Sequence, residues 1–443
     1  MTMREVHNRK VAFHTLGCKV NQYETEALKS QFEDAGFSIV DEDHEAQVYV
    51  INTCTVTHLA DRKSRQYIRK MKKKAPDSII AVTGCYAQVN PEEVMDISEV
   101  DMVVGTNEKQ NLVQMVMESF QFPEKKVKRV RDYRELKEFI DFGKVESLEC
   151  RSRAYVKIQE GCNRFCSYCI IPYARGPVRS RKPEAIIEEC KSLLEKGFKE
   201  IVLTGINTAL CNCLLKVLDT LDNMEGDFRV RLSSLEPNVA DEDFVKKLFS
   251  YRRLCHHLHL SMQSGSDAVL KRMNRRYTGK DYLNILNTLK KFDPLYGITT
   301  DIIVGFPGET ETDFYRTLDI IRKGDFCGVH GFKYSRRKGT PAALMEEQIS
   351  DYVKAERMKA LLQMSEKSHN RFIEKNIGKD VTVLFEEYDD NQAILSGYTD
   401  NYIRAYIAAD RFFVDSAEPW RNKLVTTVIK GPFFDGVEVV RKL

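Results

Sequence analysis

Apolar runs alternate with helix-like stretches along the first third of the chain. The runs are VAFHTLGC (11–18), QVYVINTC (47–54), SIIAVTGC (78–85) and DMVVGT (101–106). The stretches between them are amphipathic or basic, and the first extends from about Tyr23 to Gly36. Continuous apolar strands separated by helices are typical of a parallel sheet that is covered on both faces. The pattern therefore predicts an open, parallel α/β domain over residues 1–120.

Residues 121–150 interrupt this alternation. The segment FPEKKVKRVRDYRELKEF (122–139) is highly charged and poor in core residues, so we interpret residues 121–150 as a linker that contains its own short elements. A second series of strand–helix units occupies residues 151–350. Its predicted strands are AYVKIQEGC, KEIVLTGIN, FRVRLSSLE, HLHLSMQSG, ITTDIIVGFPG and GVHGFKYS. Six such units in succession predict a partial (β/α)6 barrel.

The pattern changes twice more towards the C-terminus. Residues 351–376 form a polar helical stretch that connects the barrel to the last segment. Residues 377–443 contain five short strand-like runs with turn residues between them: DVTVLFEE, QAILSGY, NYIRAYIAA, LVTTVIKG and GVEVVRKL. Short strands of this kind predict a small antiparallel β-barrel.

Composition and charge narrow the class of protein. The 443 residues are 42% hydrophobic and carry a formal net charge of +3, which permits a nucleic-acid partner without requiring one. The N-terminus has no apolar stretch of signal-peptide length, and no run of about eighteen apolar residues occurs, so we expect a cytoplasmic protein without a membrane span. In that compartment the 12 cysteines indicate metal or catalytic ligands rather than disulfides.

The segment GCNRFCSYCIIPYARG (161–176) contains a specific local motif. Cys162, Cys166 and Cys169, called here the loop cysteines, follow a predicted strand with the spacing C-x3-C-x2-C. Three thiolates on one loop can bind three irons of a 4Fe–4S cluster and leave the fourth iron open. S-adenosylmethionine can chelate that iron, and one electron then cleaves its sulfonium to an adenosyl radical. A zinc site is the alternative, but zinc prefers four ligands in paired clusters.

Glycine and polar residues follow several of the predicted barrel strands. Because the sites of such barrels lie at the carboxyl ends of the strands, these residues are candidates to bind S-adenosylmethionine. They are Gly205, Asn207, Ser234, Glu236, Gln263, Gly305 and Pro307. Glycine lets the backbone approach a ligand, and polar side chains can hold ribose hydroxyls and the methionyl ammonium. The alternative interpretation is that these are ordinary turn residues.

Three further cysteines end the first three apolar runs of the N-terminal domain. Cys18, Cys54 and Cys85, called here the strand-end cysteines, are 36 and 31 residues apart and form no local motif. The carboxyl ends of adjacent parallel strands meet at one edge of an open sheet, where such sheets bind ligands. Three thiolates can converge there on a second 4Fe–4S cluster, whose free iron would hold a sulfur atom for insertion. Three buried core cysteines are the alternative.

The other cysteines have no ligand-like spacing that we can interpret. They are Cys150, Cys190, Cys211, Cys213, Cys255 and Cys327. Cys190 lies in a helical stretch and Cys327 lies near a strand, so we expect both to pack in the core. Packing is also the expectation for Cys211 and Cys213.

These motifs together resemble those of the radical S-adenosylmethionine methylthiotransferases. The similar segments are HTLGCKVNQYETEAL, YVINTCTVT, VTGCYAQ, YVKIQEGCNRFCSYCIIPYARGPVRSR, HLHLSMQSGSDAVLKRMNRRYT, DIIVGFPGETETDF and KYSRRKGTPAALM. The resemblance covers essentially the whole chain. Through GCKVNQYETE it is strongest to the branch that acts on N6-threonylcarbamoyladenosine in tRNA. One departure is TALCNCLLKVL, where the glycine- and acid-rich loop usual after LTGIN is shortened.

The resemblance implies a radical-generating 4Fe–4S cluster on the loop cysteines and an auxiliary 4Fe–4S cluster on the strand-end cysteines. It implies two molecules of S-adenosylmethionine per turnover, one to methylate the sulfur and one to yield the radical. The implied reaction adds a methylthio group to C2 of the modified adenine beside the anticodon. The last segment resembles the RNA-binding TRAM module, so the expected partners are the tRNA anticodon stem-loop, an electron donor and a sulfur source. We expect a monomer.

Basic residues are concentrated after Cys54, in the linker and after the fourth barrel strand. They are Arg62, Lys63, Arg65, Arg69, Lys70, Lys72, Lys73, Lys74, Lys125, Lys126, Lys128, Arg129, Arg131, Lys271, Arg272, Arg275 and Arg276. Such groups can neutralise RNA phosphates, and solvated helix faces are the alternative. Tyr398, Tyr402 and Tyr406 either stack on bases or fill the small C-terminal core.

Other functions also stay open at this point. Within the same chemistry, the substrate can instead be isopentenyl-adenosine in tRNA or a ribosomal protein. A function of a different class is a non-catalytic RNA-binding protein that is stabilised by zinc.

Overall fold

The computed structural model describes residues 9–122, 125–142, 152–408 and 420–442, which belong to two compact units. The first unit comprises Met1–Glu149, Gln159–Arg181 and Ser335–Ala343. The second unit comprises Cys150–Ile158, Lys182–Tyr334 and Leu344–Leu443. Each unit is therefore assembled from segments that are distant in the sequence. Cys150 lies outside the described residues.

The first unit is built on a six-stranded parallel sheet, which confirms the prediction from the apolar runs. The strands are β1 (Lys10–Thr15), β2 (Ser38–Val40), β3 (Val48–Thr53), β4 (Ile79–Gly84), β5 (Met102–Val104) and β6 (Val127–Arg129). Their order in the sheet is β2-β1-β3-β4-β5-β6. All six residues of the central strand β3 are buried, because apolar clusters pack on both faces. The charged segment interpreted as a linker supplies the edge strand β6.

Five helices accompany this sheet. They are α1 (Lys19–Asp34), α2 (His58–Lys74), α3 (Cys85–Val89), α4 (Pro91–Met95) and α5 (Leu112–Ser119). α1 begins at Lys19, four residues before the start that the amphipathic pattern predicts. The pattern does not extend over the first turn because that turn is largely polar, although Val20 and Asn21 are buried in it. The Thr57 side chain caps α2 by accepting a hydrogen bond from the backbone N–H of Ala60.

The central cysteine motif belongs to the first unit as well. After β7 (Arg153–Lys157), which is part of the second unit, the chain forms the antiparallel pair β8 (Gln159–Glu160) and β9 (Arg179–Ser180). The short helix α6 (Ile171–Arg175) lies between these two strands in the sequence. The pairing of β8 with β9 therefore closes the cysteine segment into one loop.

The second unit contains the predicted (β/α)6 arrangement. After β7, its strands are β10 (Glu200–Thr204), β11 (Arg229–Leu232), β12 (Ser234–Leu235), β13 (His257–Leu260), β14 (Gly297–Val304) and β15 (Gly328–Lys333). Its helices are α7 (Pro183–Glu195), α8 (Leu214–Asp222), α9 (Glu242–Phe249), α10 (Asp267–Arg272), α11 (Gly279–Phe292) and α12 (Glu311–Gly324). The parallel orders are β7-β10-β11 and β12-β13-β14-β15. Ser233 alone separates β11 from β12, so one interrupted strand belongs to both sheets.

The long helix α13 (Asp351–Asn376) leads into a closed barrel in the same unit. The barrel strands are β16 (Asp380–Asp389), β17 (Ile394–Thr399), β18 (Arg404–Ala408), β19 (Leu424–Phe433) and β20 (Gly436–Arg441). Their order is β16-β17-β18-β20-β19, which confirms the predicted barrel. One pair, β18 with β20, is parallel, because five strands cannot alternate in direction all the way round a closed ring.

Tyr398, Tyr402 and Tyr406 of the last segment all pack against other aromatic rings. Tyr398 stacks on Tyr402 at 5.1 Å, and Tyr402 stacks on His257 at 4.4 Å, so both are used in packing within the second unit. Tyr406 instead contacts Phe433 and Phe434, edge to face.

Short 3₁₀ helices complete the secondary structure, at Lys109–Asn111, Tyr133–Glu135, Thr208–Leu210, Pro237–Val239 and Pro341–Leu344. Within the described ranges, no helix combines the length and the apolar character that crossing a membrane requires.

Candidate metal centres and cofactor site

The strand-end cysteines lie at the carboxyl ends of three neighbouring strands. Cys18 follows β1, Cys54 follows β3 and Cys85 follows β4. β3 pairs with β1 on one side and with β4 on the other, in a register that continues to the last residue of β1 and of β4. The fold thus brings three cysteines that are far apart in the sequence to one edge of the sheet.

Two glycines allow the strand ends to approach each other. Gly17 has a φ of +106°, and a Cβ atom on it would lie 2.8 Å from the Cβ atom of Cys54. Gly84 has a φ of +94°, and a Cβ atom there would lie 2.3 Å from the carbonyl oxygen of Thr53. Only glycine satisfies both conditions without strain. Both contacts are made with the end of β3, so the two glycines hold the strand ends together.

Buried amides connect α1 to the same strand ends. The side-chain amide of Asn21 donates to the carbonyl oxygens of Leu16 and Thr53, at 2.7 and 3.1 Å. The side-chain amide of Asn52 donates in return to the carbonyl oxygen of Asn21, at 2.9 Å. These hydrogen bonds fix the loop between β1 and α1, and with it the position of Cys18.

A buried ion-pair network lies next to these amides. Glu24 accepts hydrogen bonds from Lys109 and Arg175, and Arg175 also pairs with Glu160 at 3.0 Å. None of the four side chains is more than 7% exposed. Burial alone would lower the pKa of Arg175, but Cys85, Glu24 and Glu160 raise it well above its usual value, so the guanidinium stays charged. Buried, perturbed ionisable groups of this kind are typical of functional sites.

The strand-end thiols influence one another electrostatically. Burial, together with the nearby thiols of Cys85 and Cys18, raises the pKa of the Cys54 thiol to about 12. Burial also raises the pKa of the Cys85 thiol. A bound metal deprotonates such thiols because its positive charge stabilises the thiolate. The three thiols therefore interact electrostatically, and a cationic centre would suit them.

The loop cysteines are held by the folding of their own segment. The backbone N–H of Cys169 donates to the carbonyl oxygen of Cys166 at 2.9 Å, and that of Cys162 donates to the carbonyl oxygen of Gly176 at 3.0 Å. Gly161 has a φ of +75°, and a Cβ atom on it would lie 1.9 Å from the carbonyl oxygen of Pro177. Cys166 is buried, whereas Cys162 and Cys169 are half-buried. The loop is therefore compact, and two of its three cysteine residues are partly exposed.

Both sets of cysteines suit iron–sulfur ligation by the chemistry of their donors. Each set supplies three soft sulfur ligands, which is the number that leaves one iron of a 4Fe–4S cluster open. Among the residues that the structure describes, no three His, Cys, Asp or Glu side chains form a group compact enough to hold a single metal ion.

The candidate S-adenosylmethionine residues lie in the second unit, close to the ends of its strands. Asn207 follows β10 and Glu236 follows β12, and Nδ2 of Asn207 donates a hydrogen bond to Oε2 of Glu236 at 3.2 Å. The hydroxyl of Thr208 donates to the carbonyl oxygen of Ser234 at 2.9 Å. The structure thus brings the candidates after β10 and β12 together, at the loop where this chain departs from the family pattern.

Gln263 and Gly305 have positive φ angles in the same unit. Gln263, after β13, has a φ of +67° and pairs through its backbone with β14. For a residue other than glycine, this strained conformation is often found at functional sites. Gly305 has a φ of +71°, and a Cβ atom on it would lie 2.3 Å from Cγ of Lys354. Its N–H donates to the carboxylate of Glu309, and Pro307 lies in the turn between them.

The barrel strands carry a polar cluster that the motif analysis missed. His259 Nε2 lies 3.0 Å from Asp301 Oδ2 and 3.1 Å from Ser261 Oγ, and His259 Nδ1 lies 3.0 Å from Thr299 Oγ1. The alternation of side chains along each strand could have predicted this cluster, because residues two apart on a strand share a face. His259 and Ser261 form one such pair, and Thr299 and Asp301 form another.

Five cysteines outside the two sets lie in the part of the chain that the structure describes, and all five are packed in the interior. Cys190, Cys255 and Cys327 are buried, which confirms the packing expected for Cys190 and Cys327. Cys211 and Cys213 are also buried, and their Sγ atoms are 3.4 Å apart. Burial and the adjacent Cys211 raise the pKa of the Cys213 thiol to about 12.

Comparison with family models divides the chain in the same way as its motifs. The model described as "Uncharacterized protein family UPF0004" matches residues 10–105, and the model described as "Radical SAM superfamily" matches residues 156–321.

Curated relatives match most of the chain. The threonylcarbamoyladenosine tRNA methylthiotransferase MtaB of Bacillus subtilis (strain 168) is 43% identical over 412 residues, which is 89% of this chain and 89% of that protein. The MtaB protein of Aquifex aeolicus (strain VF5) is 41% identical over 396 residues, covering 88% and 96%. A tRNA-2-methylthio-N(6)-dimethylallyladenosine synthase from Clostridium novyi (strain NT) is 36% identical over 406 residues, covering 86% and 87%.

Solved structures share the fold at low sequence identity. The radical S-adenosylmethionine methyltransferase TsrM from Kitasatospora setae, with cobalamin and an iron–sulfur cluster bound, superimposes with a TM-score of 0.57 at 15% identity, covering 76% of this chain and 77% of that chain. This likeness supports the radical S-adenosylmethionine fold alone.

Proposed function

Because the chain belongs to the radical S-adenosylmethionine methylthiotransferases, we propose that it converts N6-threonylcarbamoyladenosine in tRNA to its 2-methylthio derivative. The observation that carries this proposal is the greater identity to the MtaB proteins of Bacillus subtilis and Aquifex aeolicus, 43% and 41%, than to the dimethylallyladenosine synthase of Clostridium novyi, 36%, over a similar share of the chain. The base next to the anticodon is the proposed target, and anticodon-loop bases are readily splayed out for chemistry.

The loop cysteines would hold the 4Fe–4S cluster of this superfamily. When bound there with S-adenosylmethionine, the cluster supplies an adenosyl radical. The chain's own contribution is the compact loop, whose backbone hydrogen bonds would position the three thiolates, with Cys162 and Cys169 half-buried.

The strand-end cysteines would hold a second 4Fe–4S cluster. The support is their convergence at one sheet edge and the electrostatic influence of the three thiols on one another. The adjoining buried amides and ion pairs would fix the positions of the ligands. A sulfur atom bound at this second centre is the source that we propose for the methylthio group.

The candidate S-adenosylmethionine residues are proposed to orient the cofactor. The side-chain amide of Asn207 donates a hydrogen bond to the carboxylate of Glu236 at 3.2 Å, which holds the two polar side chains together where they would contact the hydroxyl and ammonium groups of the ligand. Gly205 and Ser234 flank this pair. Gln263, Gly305 and Pro307 would contribute from the ends of β13 and β14.

For tRNA, we propose contacts with the closed barrel and with the basic residues that remain exposed. Arg62, Lys63, Arg69, Lys70 and Lys73 on α2 are exposed. By contrast, Arg65 and Lys72 are paired with acidic residues, which makes them poor candidates for binding phosphates. We propose that the protein acts as a monomer in the cytoplasm, with an external reductant and an external sulfur source.

A substrate comparison tests the proposed function. The reconstituted protein, with S-adenosylmethionine, sulfide and a reductant, is offered anticodon stem-loops that carry either N6-threonylcarbamoyladenosine or dimethylallyladenosine. We expect a methylthio product from the first substrate only, detected by mass spectrometry of the digested nucleosides, and none with Cys162→Ala. A product only from dimethylallyladenosine would reassign the protein to the branch of the synthases.

A further inference from the structure

Arg175 connects the two sets of cysteines within the first unit. It is the last residue of α6, six residues after Cys169, and its side chain is 0% exposed. Its Nε atom lies 3.3 Å from Sγ of Cys85, a residue 90 positions away in the sequence. The helix that follows the loop cysteines thus donates a hydrogen bond to one of the strand-end cysteines.

Oxygen acceptors hold the rest of this guanidinium. Nη1 donates to the carboxylates of Glu24 and Glu160, and Nη2 donates to the side-chain oxygen of Asn21. A guanidinium is planar and its N–H groups have fixed directions. Contacts with α1 and β8 therefore fix the plane without any help from Cys85, and they aim the Nε–H group at its sulfur.

The acceptor of the Nε–H group is a sulfur atom, which indicates the state of Cys85 that suits this contact. A neutral thiol is a weak hydrogen-bond acceptor, whereas an acceptor that carries negative charge makes a shorter and stronger bond. Glu24 and Glu160 already pair with Arg175 and Lys109, so the hydrogen bond to Cys85 is not needed to pair the charge of the guanidinium. A fully buried N–H group directed at sulfur therefore suits a metal-bound thiolate better than a structural thiol.

We propose that Arg175 is a positioning residue for the second cluster, and that its hydrogen bond to Cys85 raises the reduction potential of that cluster. The inference rests on the proposed function, because it requires a cluster on the strand-end cysteines. Hydrogen bonds to cluster sulfurs are among the factors that set the reduction potential, and a donor stabilises the more negative, reduced state. Partners of this kind also hold the first-shell ligand in place.

Potentiometry on an isolated second cluster tests this role. In a full-length background with all three loop cysteines changed to alanine, only the strand-end cysteines can hold iron. Arg175→Gln and Arg175→Lys are introduced there, and the midpoint potential is followed by electron paramagnetic resonance. In both variants, the clusters that remain bound are expected to have a more negative midpoint potential than those of the background protein. The matched control is Arg181→Lys, since Arg181 is equally buried but pairs with Asp141, at 2.6 and 2.9 Å, and should leave the potential unchanged.

A second measurement does not depend on the stability of the variants. Arginine labelled with ¹⁵N in the same background should give a nitrogen hyperfine coupling to the reduced cluster, because Nε contacts a ligand sulfur. Unchanged potentials in both variants, or no nitrogen coupling to a fully loaded cluster, would overturn the role of Arg175 alone. A background protein that binds no iron would instead remove the second cluster, and with it both this inference and the proposed source of sulfur.

Discussion

The loop cysteines and the strand-end cysteines offer the same three ligands but are assembled in different ways. The loop cysteines lie within one short segment, and backbone hydrogen bonds inside that segment bring them together. The strand-end cysteines come from three strands, and they meet only when β1, β3 and β4 pair in the correct register. Local spacing thus encodes one site, whereas sheet topology encodes the other.

The surroundings of the two sets differ in a related way. The strand-end cysteines adjoin buried amides and a buried ion-pair network, in which Glu24 and Lys109 are almost fully inaccessible. The cysteines themselves do not differ in this way, because Cys18 is exposed and Cys54 is half-buried, like two of the loop cysteines. A site assembled from distant strands therefore depends on many long-range contacts, and it should be the more sensitive of the two to changes in the surrounding residues.

Iron content provides the largest expected effect. After anaerobic reconstitution, the parent should hold about eight irons, and Cys162→Ala and Cys54→Ala should each hold about four. Cys162→Ala should also abolish cleavage of S-adenosylmethionine, whereas Cys54→Ala should retain it. Iron that is lost only with Cys162 would reduce the protein to a one-cluster enzyme. A colourless preparation that contains zinc would favour the non-catalytic alternative.

Removing one carboxylate from the buried network should have the next largest effect. Glu24→Gln leaves Lys109 and Arg175 without their shared carboxylate, and breaking a buried ion pair in this way costs about 3 kcal/mol. The free energy of unfolding should fall accordingly in a urea titration, with a loss of iron from the strand-end site only.

The matched control is Glu26→Gln on the same helix. Glu26 forms an i,i+3 pair with the more exposed Lys29, at 3.3 Å, and its loss should cost less than about 0.5 kcal/mol. Equal effects of the two substitutions would contradict a special role for the buried network.

A methyl group placed between the ends of β3 and β4 should lower the stability of the protein moderately. In Gly84→Ala the new Cβ atom would overlap the carbonyl of Thr53 at a φ of +94°. Gly197→Ala has a similar φ of +93° but meets nothing within 4 Å, so it reports the cost of the backbone conformation alone. Gly84→Ala should be destabilised by about 2 kcal/mol more than Gly197→Ala. Thermal unfolding measures the difference, and equal melting temperatures would argue against close contact of the strand ends.

The smallest effect is expected for Cys211 and Cys213, a neighbouring pair of cysteines that belongs to neither set. Cys213→Ala removes one buried sulfur from a packed interior and should cost about 1 kcal/mol. Iron content and cleavage of S-adenosylmethionine should be unchanged in the reconstituted variant. A loss of iron would instead show that Cys211 and Cys213 contribute to a metal centre.

Much of the fold could be predicted from local patterns. The parallel sheet, the six strands of the barrel unit and the closed C-terminal barrel all follow from apolar runs and turn residues, and the structure confirms them. Two features of the fold could not be predicted from these patterns. The edge strand β6 lies in a charged segment, because an edge strand needs little apolar surface. The first turn of α1 is polar because its Asn21 binds the neighbouring strand ends rather than an apolar core.

The assignment of ligands to the candidate sites could be predicted only in part. The six cysteines follow from spacing and from their positions at strand ends, and their role as cluster ligands stays a prediction. Arg175 lies within the quoted motif YARG, but nothing in that motif indicates a contact with Cys85. The same holds for Glu24 and Lys109, because the pairing of two charges 85 residues apart leaves no periodic signal.

The sequence by itself determined the alternation of strands and helices, the compact cysteine loop and the cysteine at the end of each apolar run. These features depend on neighbours within a few residues, where spacing and periodicity act directly. The tertiary structure decided that β1, β3 and β4 lie side by side, that Arg175 reaches Cys85, and that β18 and β20 pair in parallel. Such contacts are set by strand register and by the packing of buried polar groups, which depend on the whole folded chain rather than on any one segment.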